Sequence, residues 1–473
     1  MISTACKSAV SALGSDIFKS CSGECPNEAL IVGNDEKESL KQRVLKYHSF
    51  YGGKISTELK CPVSSLNDFS LWYTPGVADV SLAVAANKDL SFEYTNRHNS
   101  IAIVSDGTRV LGLGKIGPEA ALPVMEGKAL LYKYLGGVDA FPIVLNTTTA
   151  EDLIQSVLWM QPSFGGINLE DIEVPKCFSV LENLRKAASI PVWHDDQQGT
   201  ASVIVAGFLN AIKVVGKKIG NVSVTIVGAG ASTITAARLL SKAGLSIGNI
   251  TMVDTKGILN PDREDLDRLL FTNPWKYDMA IKTNRERKTG GIAEAFKGAD
   301  VCIAASSPGP GIIKKEWIRT MADDSVVFAL ANPVPEIWPD EAKEGGARVV
   351  ATGRSDFPNQ VNNSLIFPAM FRGTLDSRAT SITDEMALAA ANELARYAEG
   401  RGLSQVHILP TMDEWEVYPV ESAAVALKAL EQGLARRKAS RDEFIEEART
   451  RIKASRDQVG LLMKEGLIAP FPK

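Results

Sequence analysis

The segment NVSVTIVGAGASTITAARLLSKAG, Asn221 to Gly244, passes from an apolar strand into an Ala/Leu-rich helix through Gly228 and Gly230. That pattern commits the chain to a strand–turn–helix unit. Further apolar strands end in polar loops at NITMVDTKG, ADVCIAASSPGPG, SVVFALANPVPE and ARVVATGRSDF. Strands that alternate with helices need right-handed crossovers, and these make a parallel sheet. A second series of the same kind comes earlier. AFPIVLN, GGINLEDI and IPVWHDD are its strands; AEDLIQSVLWMQ and PKCFSVLENLRKAA, with Pro175 near a first turn, are its helices.

Around these series the chain reads as follows. A helix starts at Leu40 and ends near FYGGK. In NSIAIVSDGTRVLGLG two β-rich runs flank Asp106-Gly107 and predict a hairpin. A long helix runs from Gly117-Pro118 to about Tyr134, and from Thr383 onward the sequence is helical. With 473 residues the chain is too long for one core. The expected division is 1–40, an irregular extension; 41–196, an α/β domain; 197–380, a Rossmann-like dinucleotide-binding domain; and 381–473, a helical segment. The fold class is α/β.

Composition excludes several functions. Net charge is −4 with acids and bases mixed, which argues against a nucleic-acid binder. No apolar run approaches roughly 20 residues, so no membrane helix is expected. The first residues lack a basic stretch followed by an apolar core, so no secretory signal is expected. They are Ser/Ala-rich without Arg, which leaves an organelle address open beside the expected cytoplasmic location. Six cysteines, among them Cys21 and Cys25, read as free thiols, and four histidines exclude a His-rich metal site.

Two constellations carry chemistry. Gly228, Gly230, Ala231 and Ser232 form a turn whose backbone can approach a pyrophosphate at a helix N-terminus. Thr233 stands where a third Gly is usual, and Asp254 ends the next strand at a distance suited to an adenosine ribose. Glu170, Asp171, Asp195 and Asp196 all sit at or near strand ends. An acid set without His or Cys describes an oxygen-ligand site for Mg2+ or Mn2+. His194 reads as a hydrogen-bonded structural residue. Why a strand should end in two adjacent acids is open at this point: solvent, a buried Lys or a metal ion could each answer one of them.

YTPGVADV, SDGTRVLGLGKIGPEAALPVMEGKALLYKYLGGVDAFPIVLN, INLEDI, WHDDQQGTA, VFALANPVPEIWPDEA and ATGRSDFPNQVNNSLIFPAMFRGTLDSRATSITDEM are ordered motifs. Together they resemble the malic enzyme family in its shorter bacterial form, from about Tyr51 to the C-terminus. The resemblance implies oxidation of L-malate by NAD or NADP, decarboxylation, and protonation of enolpyruvate. It implies Glu170, Asp171 and Asp196 as metal ligands, with the 41–196 domain holding substrate and metal. It implies Lys128 as general base, with a pKa depressed by burial and a nearby cation. Asp195 would position Lys128, and Tyr73 would protonate C3. Arg109 would take a substrate carboxylate. Asn332 and Asn363 would contact substrate or nicotinamide.

A malolactic enzyme, which releases lactate, would share these motifs. A non-catalytic nucleotide sensor has no need of the Tyr73, Lys128 and acid set, and a plain 2-hydroxy-acid dehydrogenase has no need of the metal acids. Relatives associate, so a homodimer or homotetramer is expected. Asp254 favours NAD and Lys256 favours NADP; use of both is expected, with NADP preferred through Lys256.

Overall fold

The computed structural model describes residues 39–472. The expected N-terminal extension, with Cys6, Cys21 and Cys25, lies outside the described residues except for its last two. Helix α1 (Leu40–Tyr51) is started by a capping box between Ser39 and Gln42. It forms a small unit of its own with Phe471, which stacks on Tyr47. Residues Gly53–Pro470 make the second unit, which contains both sheets.

After the short helix α2 (Val77–Ala86), the first sheet consists of β1 (Ser100–Ser105), β2 (Asp139–Val144), β3 (Gly166–Leu169) and β4 (Val192–His194). Its order is β2-β1-β3-β4 and every pair is parallel. The crossovers are α3 (Pro118–Gly136), α4 (Ala150–Met160) and α5 (Lys176–Ala187). Helix α6 (Thr200–Val214) leads to the second sheet. That sheet contains β5 (Val224–Val227), β6 (Ile250–Asp254), the two-residue β7 (Gly257–Ile258), β8 (Val301–Ala304), β9 (Val326–Ala329) and β10 (Val349–Thr352). Helix α7 (Ala231–Lys242) joins β5 to β6, and α8 (Pro274–Lys282) lies between β7 and β8. The order is β10-β9-β8-β5-β6-β7, parallel except for β7.

The hairpin expected at Asp106-Gly107 does not form. All six residues of β1 are buried, and both its edges are taken by parallel partners, β2 and β3. A continuous apolar run is the mark of a strand covered on both faces, which is where parallel sheets place them. The second run closes only Val110 onto Gly114 and leaves Leu111 and Leu113 exposed.

The C-terminal part is helical, in α9 (Phe367–Asp376), α10 (Asp384–Glu399), α11 (Val417–Glu431) and α12 (Arg441–Lys464). Gly433, at φ 70°, ends α11, and a Ser440–Glu443 capping box starts α12. All ten residues of α9 are buried. Its Arg372 is fully enclosed and bonded to Asp376, Asn99 and the Gly137 carbonyl, so α9 is tied to β1 and to the end of α3. One apolar cluster runs through both sheets and α9 to α11.

That cluster also surrounds a charge problem. Glu421 on α11 is fully buried, and neither carboxylate oxygen has a partner among the described residues. Burial, reinforced by Glu393, raises its pKa well above the usual value of 4.5. The native state therefore holds a proton that the unfolded chain releases, so stability falls as pH rises above about 4.5. Glu421→Gln is expected to flatten the melting temperature between pH 5 and 8 and to raise it at pH 8 by about 2 °C or more. An unchanged slope would refute this account of Glu421.

Candidate active site

In open α/β sheets ligands bind beyond the carboxyl ends of the strands, where the strand order reverses. In the first sheet that point lies between β1 and β3. Glu170 and Asp171 follow β3 directly, and Asp195 and Asp196 follow β4 in a wide helical turn, Asp195–Gly199. A Cβ on Gly199 would overlap Asp195 Oδ1, so glycine is required there.

Lys128, from the middle of α3, reaches into this point. Its Nζ lies 2.6 Å from Glu170 Oε1 and also bonds Asp195 Oδ2. The same Asp195 oxygen accepts from Asn363 Nδ2 at 2.6 Å, and Oδ1 accepts from Trp193 Nε1 at 3.1 Å. Asn168 donates to the other Glu170 oxygen at 2.9 Å and is itself held by the Tyr132 hydroxyl. The Phe367 ring lies 4.5 Å from the ammonium. Asn168, Tyr132 and Phe367 were not singled out from sequence, because each is an ordinary core type until its partner is known.

The structure corrects the expected charge state of Lys128. Burial by itself would lower its pKa, but attraction from Asp195, Glu170 and Asp196 outweighs burial and pushes the ammonium above its usual value. The neighbour expected to be a cation is a pair of anions.

Glu170, Asp171 and Asp196 each offer an oxygen within 4.8 Å of the others. Asp171 Oδ1 accepts from Leu111 N at 3.2 Å, while its buried Oδ2 has no partner among the described residues. Burial and the nearby Asp196 push the Asp171 carboxyl up to about 7, and burial holds Glu170 well above its usual value. An orphaned oxygen in a set of crowded acids fits a hard divalent cation, which would neutralise them. The expectation of a hydrogen-bonded His194 fails: both ring nitrogens are buried without a partner, and Asp196 Oδ2 is 3.7 Å from Nδ1. Burial pushes this imidazole down to about 3, so it is neutral.

The second sheet reverses order between β5 and β8. Gly228, at φ 112°, sits there, and a Cβ on it would come 2.7 Å from the Ala305 carbonyl after β8. Gly230 N–H donates to Thr233 Oγ1 at 2.9 Å, so the residue in place of a third glycine caps the turn. Ala231 and Ser232 open α7 and are half-buried. Buried Glu336, also missed from sequence, accepts from Ser306 N at 2.8 Å and Ala331 N at 3.0 Å, and so joins the loops after β8 and β9. Asn332 in the second of these loops is exposed, and Gly353 leaves room for its amide. A Cβ on Gly112 would meet the Asn332 carbonyl at 2.7 Å, so the Arg109 loop touches this dinucleotide end.

Asp254 is already occupied by cations. It accepts from Arg263 Nη1 at 2.9 Å, Lys256 N at 2.9 Å and Lys276 Nζ at 3.2 Å. Lys256 Nζ points instead to Asp265, 3.0 Å away. Arg109 is exposed, and its backbone N–H donates to the Asp171 carbonyl at 3.0 Å. The structure does not bring Tyr73 into the hydrogen-bonded set around Lys128: its side chain is 71% exposed.

Known proteins resemble this chain in sequence and fold. Two family profiles match, "Malic enzyme, N-terminal domain" over residues 52–155 and "Malic enzyme, NAD binding domain" over residues 197–432. The bifunctional malic/malolactic enzyme of Bacillus subtilis is 45% identical over 87% of this chain and 98% of its own. The NAD-dependent malic enzyme of Geobacillus stearothermophilus is 47% identical over 82% of this chain and 78% of its own. The crystal structure of the Entamoeba histolytica malic enzyme superposes with a TM-score of 0.88 at 46% identity, covering 91% of this chain and 90% of that one. With acids, lysine and glycine turn at the reversal points of two parallel sheets, and both profiles in order along it, the chain belongs to the malic enzyme family.

Proposed function

We propose that the chain converts L-malate to pyruvate and CO2 with reduction of NAD+ or NADP+, in the cytoplasm and with a divalent metal ion at Glu170, Asp171 and Asp196. The observation that carries this reading is the contact of Lys128 with both Asp195 and Glu170 beside those acids. Held by Glu170, Asp171 and Asp196, Mg2+ or Mn2+ would supply Lewis-acid polarisation of the malate hydroxyl and positive charge beside these acids. Lys128 takes the C2 hydroxyl proton, and Asp195, fixed by Trp193 and Asn363, keeps the amine aimed and receives the proton it passes on. Arg109 binds a malate carboxylate with its fork of donors. Asn332 and Asn363 orient nicotinamide and substrate without adding charge. Gly228, Gly230, Ala231 and Ser232 hold the pyrophosphate at the α7 N-terminus. Malate-dependent NAD(P)+ reduction, with pyruvate and lactate both measured and with and without Mn2+, tests the reading. Lactate as the main product would move the chain to the malolactic reaction.

Cofactor choice rests on the residues around Asp254. Burial favours the protonated carboxyl, but the Arg263 hydrogen bond and the neighbouring Lys276 hold Asp254 below the usual carboxylate range. An acid so neutralised repels a 2′-phosphate little, and Lys276, the more exposed of its two side-chain cations, is the one placed to meet such a phosphate. The NADP preference expected from Lys256 therefore passes to Lys276. Lys276→Ala is expected to raise the Michaelis constant for NADP about 10-fold, or 1.4 kcal/mol, and that for NAD much less. Equal effects on both cofactors would remove Lys276 from the 2′ position.

A further inference from the structure

The proposed reaction needs an acid for C3 of enolpyruvate, and the fold of one chain leaves its assigned donor outside. Tyr73 is 71% exposed, and among the described residues its hydroxyl has no hydrogen-bond partner. It belongs to a segment with no core of its own. From Gly53 to Ser91 no residue is buried, although α2 and the turn Phe69–Trp72 are helical and rich in apolar side chains. Leu59 and Leu66 are 81% and 83% exposed, and Leu71, Trp72 and Leu82 are also open. Short helices gain their stability from packing an apolar face, and among the described residues none buries this one. A run of large apolar side chains left open together marks an interaction surface rather than a free face.

Further partly exposed apolar side chains lie on α3, the helix that carries Lys128, on a face that also holds Glu126, bonded to Lys54 N, and where Arg456 lies over the Tyr134 ring. Leu122, Leu130 and Tyr134 are 38%, 40% and 37% exposed, at spacings that put them on one face. In a twofold dimer each surface is used twice, so a segment docked on the partner's α3 is matched by the partner's segment docked in return. A different protein could cover the patch but would leave the site without its acid. A second copy does both.

We propose that Tyr73 acts in trans: two copies form a dimer in which the Tyr73 segment of each packs on α3 of the other and completes the Lys128 site there. This rests on the malate-decarboxylating reading above. In the final step the Tyr73 O–H bond breaks as the C3–H bond forms, and the enol O–H proton passes to Lys128 as the C2 carbonyl forms. The tyrosinate then regains a proton from solvent, so the step is a proton shift with no net oxidation.

Hybrid dimers test it. Tyr73→Phe and Lys128→Arg variants, each tagged differently, are refolded together in equal amounts, and melting curves confirm that each is folded. Half the dimers are then hybrids, and in trans one of their two sites carries both intact residues, so the mixture recovers about a quarter of wild-type activity. If both groups act within one chain, every site in a hybrid has one defect. Hybrids isolated through both tags yet inactive would overturn the proposal, as would a monomeric mass for the active wild type. Failure of the underlying reading looks different: the wild type would not oxidise malate, or the single variants would retain full activity.

Discussion

Replacing Lys128 by arginine is expected to lower kcat for malate oxidation about 10^3-fold while the protein stays folded. The two effects separate because of what surrounds the side chain. Lys128 lies between Glu170 and Asp195, and its charge is what allows both acids to be buried. Lys128→Ala removes the proton acceptor and also leaves two acids without a counter-charge, and breaking a buried pair in this way costs about 3–5 kcal/mol. Arginine keeps the charge but does not give up its proton at any pH where the protein is folded. The measurement is kcat with saturating malate for both variants, beside their melting temperatures. A Lys128→Arg variant that oxidises malate at the wild-type rate would show that the hydroxyl proton goes elsewhere.

The frame of the molecule was legible because it depends on local pattern. A run such as SIAIVS reads as a strand, and VTIVGAG followed by an Ala/Leu helix reads as strand, turn and helix. Glu170 and Asp171 follow β3, which flanks the reversal of strand order, and Asp195 and Asp196 follow its neighbour β4, so these acids were found with the strands that carry them. The hairpin at Asp106-Gly107 was misread because turn chemistry is local, whereas the partner of β1 is chosen by which strand can cover its second edge.

What stayed hidden is what depends on distance between remote residues. The sign of the Lys128 shift is set by Asp195, 67 residues away, and Asn363 is 168 residues from the same carboxylate. Lys276 lies 22 residues beyond Asp254, past the turn that a dinucleotide motif covers, so Lys256 drew the attention instead. Tyr73 reads from sequence as part of a motif and gives no sign that its chain leaves it exposed.

Asp196→Ala is expected to abolish metal-dependent turnover, and the reason can be measured without turnover. Glu170, Asp171 and Asp196 crowd their oxygens within 4.8 Å, and a buried Asp171 oxygen has no donor. Such a cluster is strained by its own charge until a cation fills it. A ligand that binds only the native state stabilises it by about 2.7 kcal/mol at 100 times its dissociation constant. Mn2+ should therefore raise the melting temperature of the chelator-stripped wild type. In Asp196→Ala one ligand is gone and one repulsive charge with it, so the metal-free variant should melt no lower than metal-free wild type while Mn2+ no longer shifts it. Dinucleotide binding, held at Gly228 and Gly230 on the other sheet, should survive, so fluorescence titration with NADPH should give nearly the wild-type affinity. Full wild-type activity in excess chelator, or an unchanged Mn2+ shift in Asp196→Ala, would mean that these three acids do not hold the metal.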